Sequence, residues 1–132
     1  VVGMPIVSLD GVRRASRYMS DRRDLNRYFP GNTTGSYASR VAHSLFNQVI
    51  LNCDFLVDIH TGSFKRTNLA QLRGDLNNSA ILEFSRHFGG MSVLHHPGGS
   101  GTLRRSAAHA GIPAITMETG GPHEMGNRED ED

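Results

Sequence analysis

The sequence predicts an α/β fold with a mostly parallel or mixed central sheet and helices on both faces. Two observations predict it. Short apolar, β-rich runs alternate with segments whose apolar residues recur near a 3.6-residue period. Two of the β-rich runs end in a polar residue and a Gly-containing turn, at His60-Thr-Gly62 and Glu118-Thr-Gly-Gly121. Open α/β sheets present their ligand-binding residues at such strand ends.

Taken in order, Val1–Val7 is apolar enough to read as a buried strand. Residues 8–39 are rich in Arg, Asp, Ser, Gly and Asn and read as one long loop, a length usually tied to function. Ser39 then caps a helix over about 40–52, whose apolar residues Val41, Ala42, Leu45, Val49 and Leu51, with Phe46 and Ile50, recur near a 3.6-residue period. Phe55–Ile59 is a strand. Residues 61–78 are polar and irregular. A helix follows over 79–88, closed by Gly89-Gly90. Met91–Leu94 is a brief strand, and 95–101 a loop. Thr102 caps a helix to Ala110 that Gly111 ends, and Ile112–Met117 is a buried strand. The expected organisation is a catalytic domain over 1–122 and a polar acidic tail over 123–132.

Composition narrows the function classes. The 132 residues suffice for one domain with a real core. With 37% hydrophobic residues and 15 Gly, the chain is globular and loop-rich. No stretch approaches the roughly 20 apolar residues of a spanning helix. No signal-peptide pattern opens the chain. Cys53 is the single cysteine, so no internal disulfide or CxxC metal knuckle can form, and a cytoplasmic address is expected. The net charge is +1, but four of the 13 acids are the last four residues. The remainder is basic, and nearly all of its cations are Arg, six of them between Arg13 and Arg27. Arg grips carboxylate or phosphate with a planar fork. Few aromatics interleave with these Arg, which argues against nucleic acid as the partner. The Gly98-Gly-Ser-Gly-Thr102 loop before a helix could take phosphate, yet it lacks the Lys and the spacing of a P-loop.

Three elements could carry chemistry. Asp58 stands two residues before His60, so both side chains point to one face of a strand. An acid so placed orients a His ring, as it does behind metal ligands. An isolated His is nevertheless more often structural than ligating. Glu118 ends a buried strand, where packing gives no reason for a carboxylate; the alternative is a rim salt bridge. Asn26 and Arg27, side by side, offer an amide and a guanidinium to an anion.

In series, Arg17-Tyr18, Asp24-Leu-Asn-Arg-Tyr-Phe-Pro-Gly31, Asp58-Ile-His-Thr-Gly62 and Glu118-Thr-Gly-Gly121 resemble the succinylglutamate desuccinylase/aspartoacylase family, relatives of the zinc carboxypeptidases. The resemblance runs from Val1 to about Pro122. It implies a zinc-carboxypeptidase-like fold and a zinc-dependent hydrolase, a deacylase that cleaves the amide bond of an N-acyl amino acid or a related carboxylate-bearing small molecule. It implies that His60 is a zinc ligand and that Glu118 is the general base. Arg17 would polarise the scissile carbonyl. Asn26 and Arg27 would grip the substrate carboxylate, with Arg105, or its neighbour Arg104, as a second carboxylate-binding arginine. All of these would serve one site. The family takes its other two zinc ligands, a His and a Glu, from a GxHGxE-type motif expected upstream of Val1, and a C-terminal extension is expected beyond the chain. The spare imidazoles His95, His96, His109 and His123 match no motif. Two alternatives stay open: a metallocarboxypeptidase-type peptidase, and a catalytically incomplete fragment that binds anions. Neither nucleic acid nor membrane is an expected partner. Oligomeric state is open, a homo-oligomer included.

Overall fold

The structure is a computed structural model that describes residues 1–62, 66 and 68–120. The chain divides into two compact units. One is Val1–Asp54 with Gly99–Ile112; the other is Phe55–Gly98 with the segment from Pro113 onward. The acidic tail expected over 123–132 lies outside the described residues.

The first unit is helical. Helix α1, Leu9–Arg13, starts at Ser8, whose hydroxyl accepts the Gly11 N–H at 3.1 Å. A 3-10 turn over Leu25–Arg27 starts at Asp24, whose Oδ1 accepts the Asn26 N–H at 3.0 Å. Helix α2 runs Tyr37–Gln48 and buries Ala38, Ala42 and Phe46, one residue per turn on a single stripe. A 3-10 turn over Ile50–Asn52 follows it. Helix α4, Leu103–His109, buries Leu103, Arg104 and Ala107 and stops at Gly111, whose φ of +85° suits a residue without a Cβ.

The second unit is a four-stranded mixed sheet with a helix against it. Its strands are β1 Leu56–His60, β2 Gln71–Gly74, β3 Ser92–His95 and β4 Ala114–Glu118, in the order β1-β4-β2-β3. β1 and β4 are parallel, as are β2 and β3, while β4 and β2 run antiparallel. Helix α3, Ser79–Ser85, starts at Asn78, whose side chain accepts the N–H groups of Ala80 and Ile81. It packs on β2 and β4. Its approach is close. A Cβ on Gly74 would stand 2.9 Å from Ile81 Cγ2 and 3.3 Å from Ile115 Cγ2, so the helix can sit here only over glycine. Leu72, Ile81, Ala114 and Ile115 are buried, and Phe84 stacks between Phe55 and Phe88 with centroids at 4.7 and 5.3 Å.

Several expectations from sequence are corrected. Val1–Val7 forms no strand; its residues are exposed and pair with no described strand. Pro5 removes an N–H from any ladder, and an apolar run without a pairing partner cannot satisfy its backbone as β-structure. The long loop over 8–39 contains α1 and the Asp24 turn. Helix α2 starts three residues earlier than Ser39 implies, because Ser36 and not Ser39 is the cap. The irregular stretch over 61–78 contains β2. Helix α3 ends at Ser85, short of Gly89-Gly90. Strand β1, expected over Phe55–Ile59, is an edge strand in the described sheet, with Ile59 65% exposed.

Candidate functional site

The parallel register of β1 and β4 sets His60 opposite Glu118 and Asp58 opposite Thr116. The antiparallel register of β2 and β4 adds Gln71 opposite Glu118 and Arg73 opposite Thr116. Partners in register share a face, and alternate residues of a strand return to it. One face of the sheet therefore carries two polar rows, His60–Glu118–Gln71 and Asp58–Thr116–Arg73. The opposite face carries Leu72, Ile115 and Gly74, against which α3 packs.

Backbone bonds hold the ends of β1 and β4 together past the last ladder pair. The Thr119 N–H donates to the His60 carbonyl at 2.9 Å, the Thr119 hydroxyl donates to the same oxygen at 3.1 Å, and the Gly62 N–H donates to the Gly120 carbonyl at 3.0 Å. His60 and Glu118 thus sit on a fixed pair of strand ends. His60 Nε2 lies 2.9 Å from Asp58 Oδ2. An ionised carboxylate only accepts, so Nε2 is the donor in this contact. An acid so placed fixes the orientation of an imidazole ring, as it does behind metal ligands.

Glu118 is 5% exposed. A buried carboxylate requires partners, and two are present. Asn68 Nδ2 donates to Oε2 at 3.0 Å, and Arg73 Nη1 stands 3.7 Å from Oε1. The second is an ion pair without a hydrogen bond. Arg73 Nε is buried and has no hydrogen-bond partner among the described residues, a state that costs about 1–3 kcal/mol. Sequence reasoning missed both Asn68 and Arg73. Asn68 lies in a stretch without periodicity. Arg73 lies on a strand of four residues, too short for its alternation to stand out.

The other candidate residues belong to the first unit. Arg17 donates from Nε to Asp24 Oδ2 at 2.9 Å, with Nη2 at 2.8 Å from the same oxygen. Asp24 thereby holds Arg17 with one carboxylate oxygen and starts the 3-10 turn with the other. Asn26 Oδ1 accepts the Leu103 N–H at 2.8 Å, at the first turn of α4. The Phe29 N–H donates to the Gly101 carbonyl at 2.9 Å. A Cβ on Gly101 would collide with the Arg27 carbonyl, so glycine is needed there on steric grounds as well as for its φ of +80°. The Asp24-Leu-Asn-Arg27 run is thus tied to the start of α4, and the oxygen of the Asn26 amide is committed to that tie. Arg27 is exposed and donates from Nη1 to the Asn26 carbonyl at 2.8 Å. On α4, Arg104 is 7% exposed and Arg105 is half-buried, which leaves Arg105 the more accessible of the two. The structure brings His60 and Glu118 together in one unit, and Arg17, Asn26 and Arg27 together with α4 in the other.

Among the described residues, no group of three His, Cys, Asp or Glu side chains could hold a metal ion. His60, with Asp58 behind it, fits one ligand position.

The model of the succinylglutamate desuccinylase/aspartoacylase catalytic domain matches residues 1–130 of the chain. The chain belongs to this family. Its fold is similar to that of a succinylglutamate desuccinylase/aspartoacylase from Rhodobacter sphaeroides, at 27% identity and a TM-score of 0.78, covering 89% of this chain and 37% of that one. It is also similar to a succinylglutamate desuccinylase from Silicibacter sp. TM1040, at 21% identity and a TM-score of 0.77, covering 89% and 38%. An aspartoacylase family protein from Mesorhizobium loti gives 23% identity and a TM-score of 0.74, covering 89% and 40%. The chain thus spans 37–40% of the length of these three desuccinylase/aspartoacylase structures. No curated protein matches it. The mixed α/β architecture is that of the desuccinylase/aspartoacylase fold, which is of the zinc carboxypeptidase-like kind.

Proposed function

We propose that this chain carries catalytic residues of a cytoplasmic, zinc-dependent hydrolase that cleaves the amide bond of an N-acyl amino acid. The observation that supports it most is a buried carboxylate, Glu118, set in register beside His60 at the ends of two adjacent strands. A general base must be fixed and shielded, and this one is. His60 would hold the zinc, with Asp58 fixing its ring and the remaining ligands coming from outside the described residues. Zinc so bound would bring the pKa of a water to about 7, which supplies the nucleophile that amide hydrolysis needs at neutral pH.

The chain's own residues would do the rest. Glu118 takes the proton from the attacking water on its carboxylate and returns it to the leaving amine. Asn68 fixes one oxygen of that carboxylate. Arg17, aimed by Asp24, polarises the scissile carbonyl and balances the charge that develops on its oxygen. Arg27 and Arg105, with the Nδ2 amide of Asn26, bind the substrate carboxylate.

Release of free amine from a panel of N-acyl amino acids tests the reading in the whole protein. Activity should vanish on chelation and return with zinc. His60→Ala should lower both bound zinc and turnover. Activity that survives chelator, or a His60→Ala variant with full zinc and full rate, would overturn it.

A further inference from the structure

The two carboxylate oxygens of the buried Glu118 stand in different surroundings. Oε2 accepts from Asn68 Nδ2 at 3.0 Å. Oε1 accepts no hydrogen bond among the described residues, and its ion pair there is with Arg73, whose Nη1 stands 3.7 Å away. Arg73 reaches it from the neighbouring row of the same face, Asp58–Thr116–Arg73. Gln71, Thr116 and Leu94, in register with these two residues, are uncharged and bring no second cation. Distance decides what such an arginine does. A guanidinium hydrogen-bonded to a carboxylate occupies the lone pairs that would otherwise take a proton. At 3.7 Å the pair is electrostatic only. It supplies the counter-charge that a buried carboxylate requires, and it leaves the lone pairs of Oε1 open.

We infer that Glu118 works through Oε1, and that Arg73 is the positioning residue that balances the charge of this oxygen while leaving it open to water. The inference rests on the hydrolase reading above; it names the working oxygen and adds a residue that acts through it. Asn68 anchors Oε2, so the carboxylate meets the water with its other oxygen. As the water gives up its proton, an O–H bond of the water breaks and the Oε1–H bond forms, and the water oxygen adds to the scissile carbonyl carbon. The proton on Oε1 cancels the charge that Arg73 attracts, so the ion pair is lost at that moment. Passage of the proton to the leaving amine restores it. Arg73 thereby favours the second transfer, through Glu118 alone.

The test is the steady-state kinetics of Arg73 variants in the whole protein on its best N-acyl amino acid, with bound zinc and the urea midpoint measured on the same samples. Arg73→Met should lower kcat by about 10- to 100-fold, the scale of one lost electrostatic contact at a reacting group, while KM and zinc stay near their wild-type values. Arg73→Lys keeps the charge and should keep most of the rate. Added guanidinium should restore part of the Arg73→Met rate, and urea at the same concentration should not, because the two match in shape and differ in charge. The side chain is 38% exposed, so such a cation can reach the position. Arg86→Met, which removes an exposed arginine at the C-terminal end of α3, should leave every value unchanged. A loss that neither Lys nor guanidinium repairs would mean that Arg73 only fills space, and would overturn the inference. A raised KM at unchanged kcat would make Arg73 a substrate contact and overturn it as well. Should Arg73→Met fail to fold, Arg73→Lys against Arg73→Gln decides: a rate kept by Lys and lost by Gln supports the inference, and equal rates overturn it. If Glu118→Gln loses turnover while Arg73→Met retains it, the hydrolase reading stands and this inference alone falls. If the protein releases no amine from any N-acyl amino acid, the reading itself falls and takes the inference with it.

Discussion

Asp58 and Asp24 act through the residues they hold. Asp58 fixes the His60 ring at 2.9 Å, and Asp24 divides its two oxygens between Arg17 and the Asn26 N–H. The sequence made the first pair legible, because two residues apart on a strand share a face whatever the fold. It left the second hidden: nothing in the spacing of Arg17 and Asp24 says that a tight turn, with the Met19 N–H donating to the Arg23 carbonyl, brings them together. Arg73 and Asn68 were illegible for the same reason, since their partner Glu118 is far along the chain. Asp58→Asn tests the role given to His60. Losing the charge behind a ligating imidazole should weaken zinc binding by about 10- to 100-fold, with the fold intact. Competition with a chelating dye measures this. Unchanged zinc affinity would show that Asp58 does not serve the metal.

Strands and helices were legible where a stripe or an apolar run met a partner in the fold. Helix α2 is one such case, and its apolar residues Ala42 and Phe46 are buried as the period implies. Its start was not legible, because part of the cap comes from far away in sequence. Asp21 Oδ2 accepts the Ala38 N–H at 3.0 Å beside the Ser36 cap. Burial by itself would raise the Asp21 carboxyl, but the backbone N–H groups of Ala38 and Arg23 and the Arg23 guanidinium outweigh it and hold the group below its ordinary value. A carboxyl depressed by folding contributes stability above its unfolded pKa of about 3.9, and that contribution is lost as pH falls through the folded value. Asp21→Asn should therefore be less stable than the wild type near pH 6, by a few tenths of a kcal/mol and at most about 1, given the exposure of the pair. The gap should close in acid below about pH 4. Urea unfolding at both pH values decides it, and a gap that persists in acid would assign the effect to shape and not to charge. Val1–Val7 is the converse lesson: the run is apolar enough, yet an element also needs a neighbour, and that cannot be seen in the run itself.

For the whole molecule, alternation of runs was enough to predict an α/β fold, and the order of four short motifs was enough to point to the family. The division into two compact units was not legible, because each unit is assembled from two separated stretches of chain. No helix among the described residues is long and apolar enough to cross a membrane. The central claim is that Glu118 is the base of an amide-hydrolysing site. Its most direct test is the turnover of Glu118→Gln in the whole protein on its best N-acyl amino acid, with bound zinc measured on the same sample. The substitution keeps the shape and removes the base, so kcat should fall by about 100-fold or more while zinc is retained. A Glu118→Gln enzyme that turns over at the wild-type rate would contradict the account.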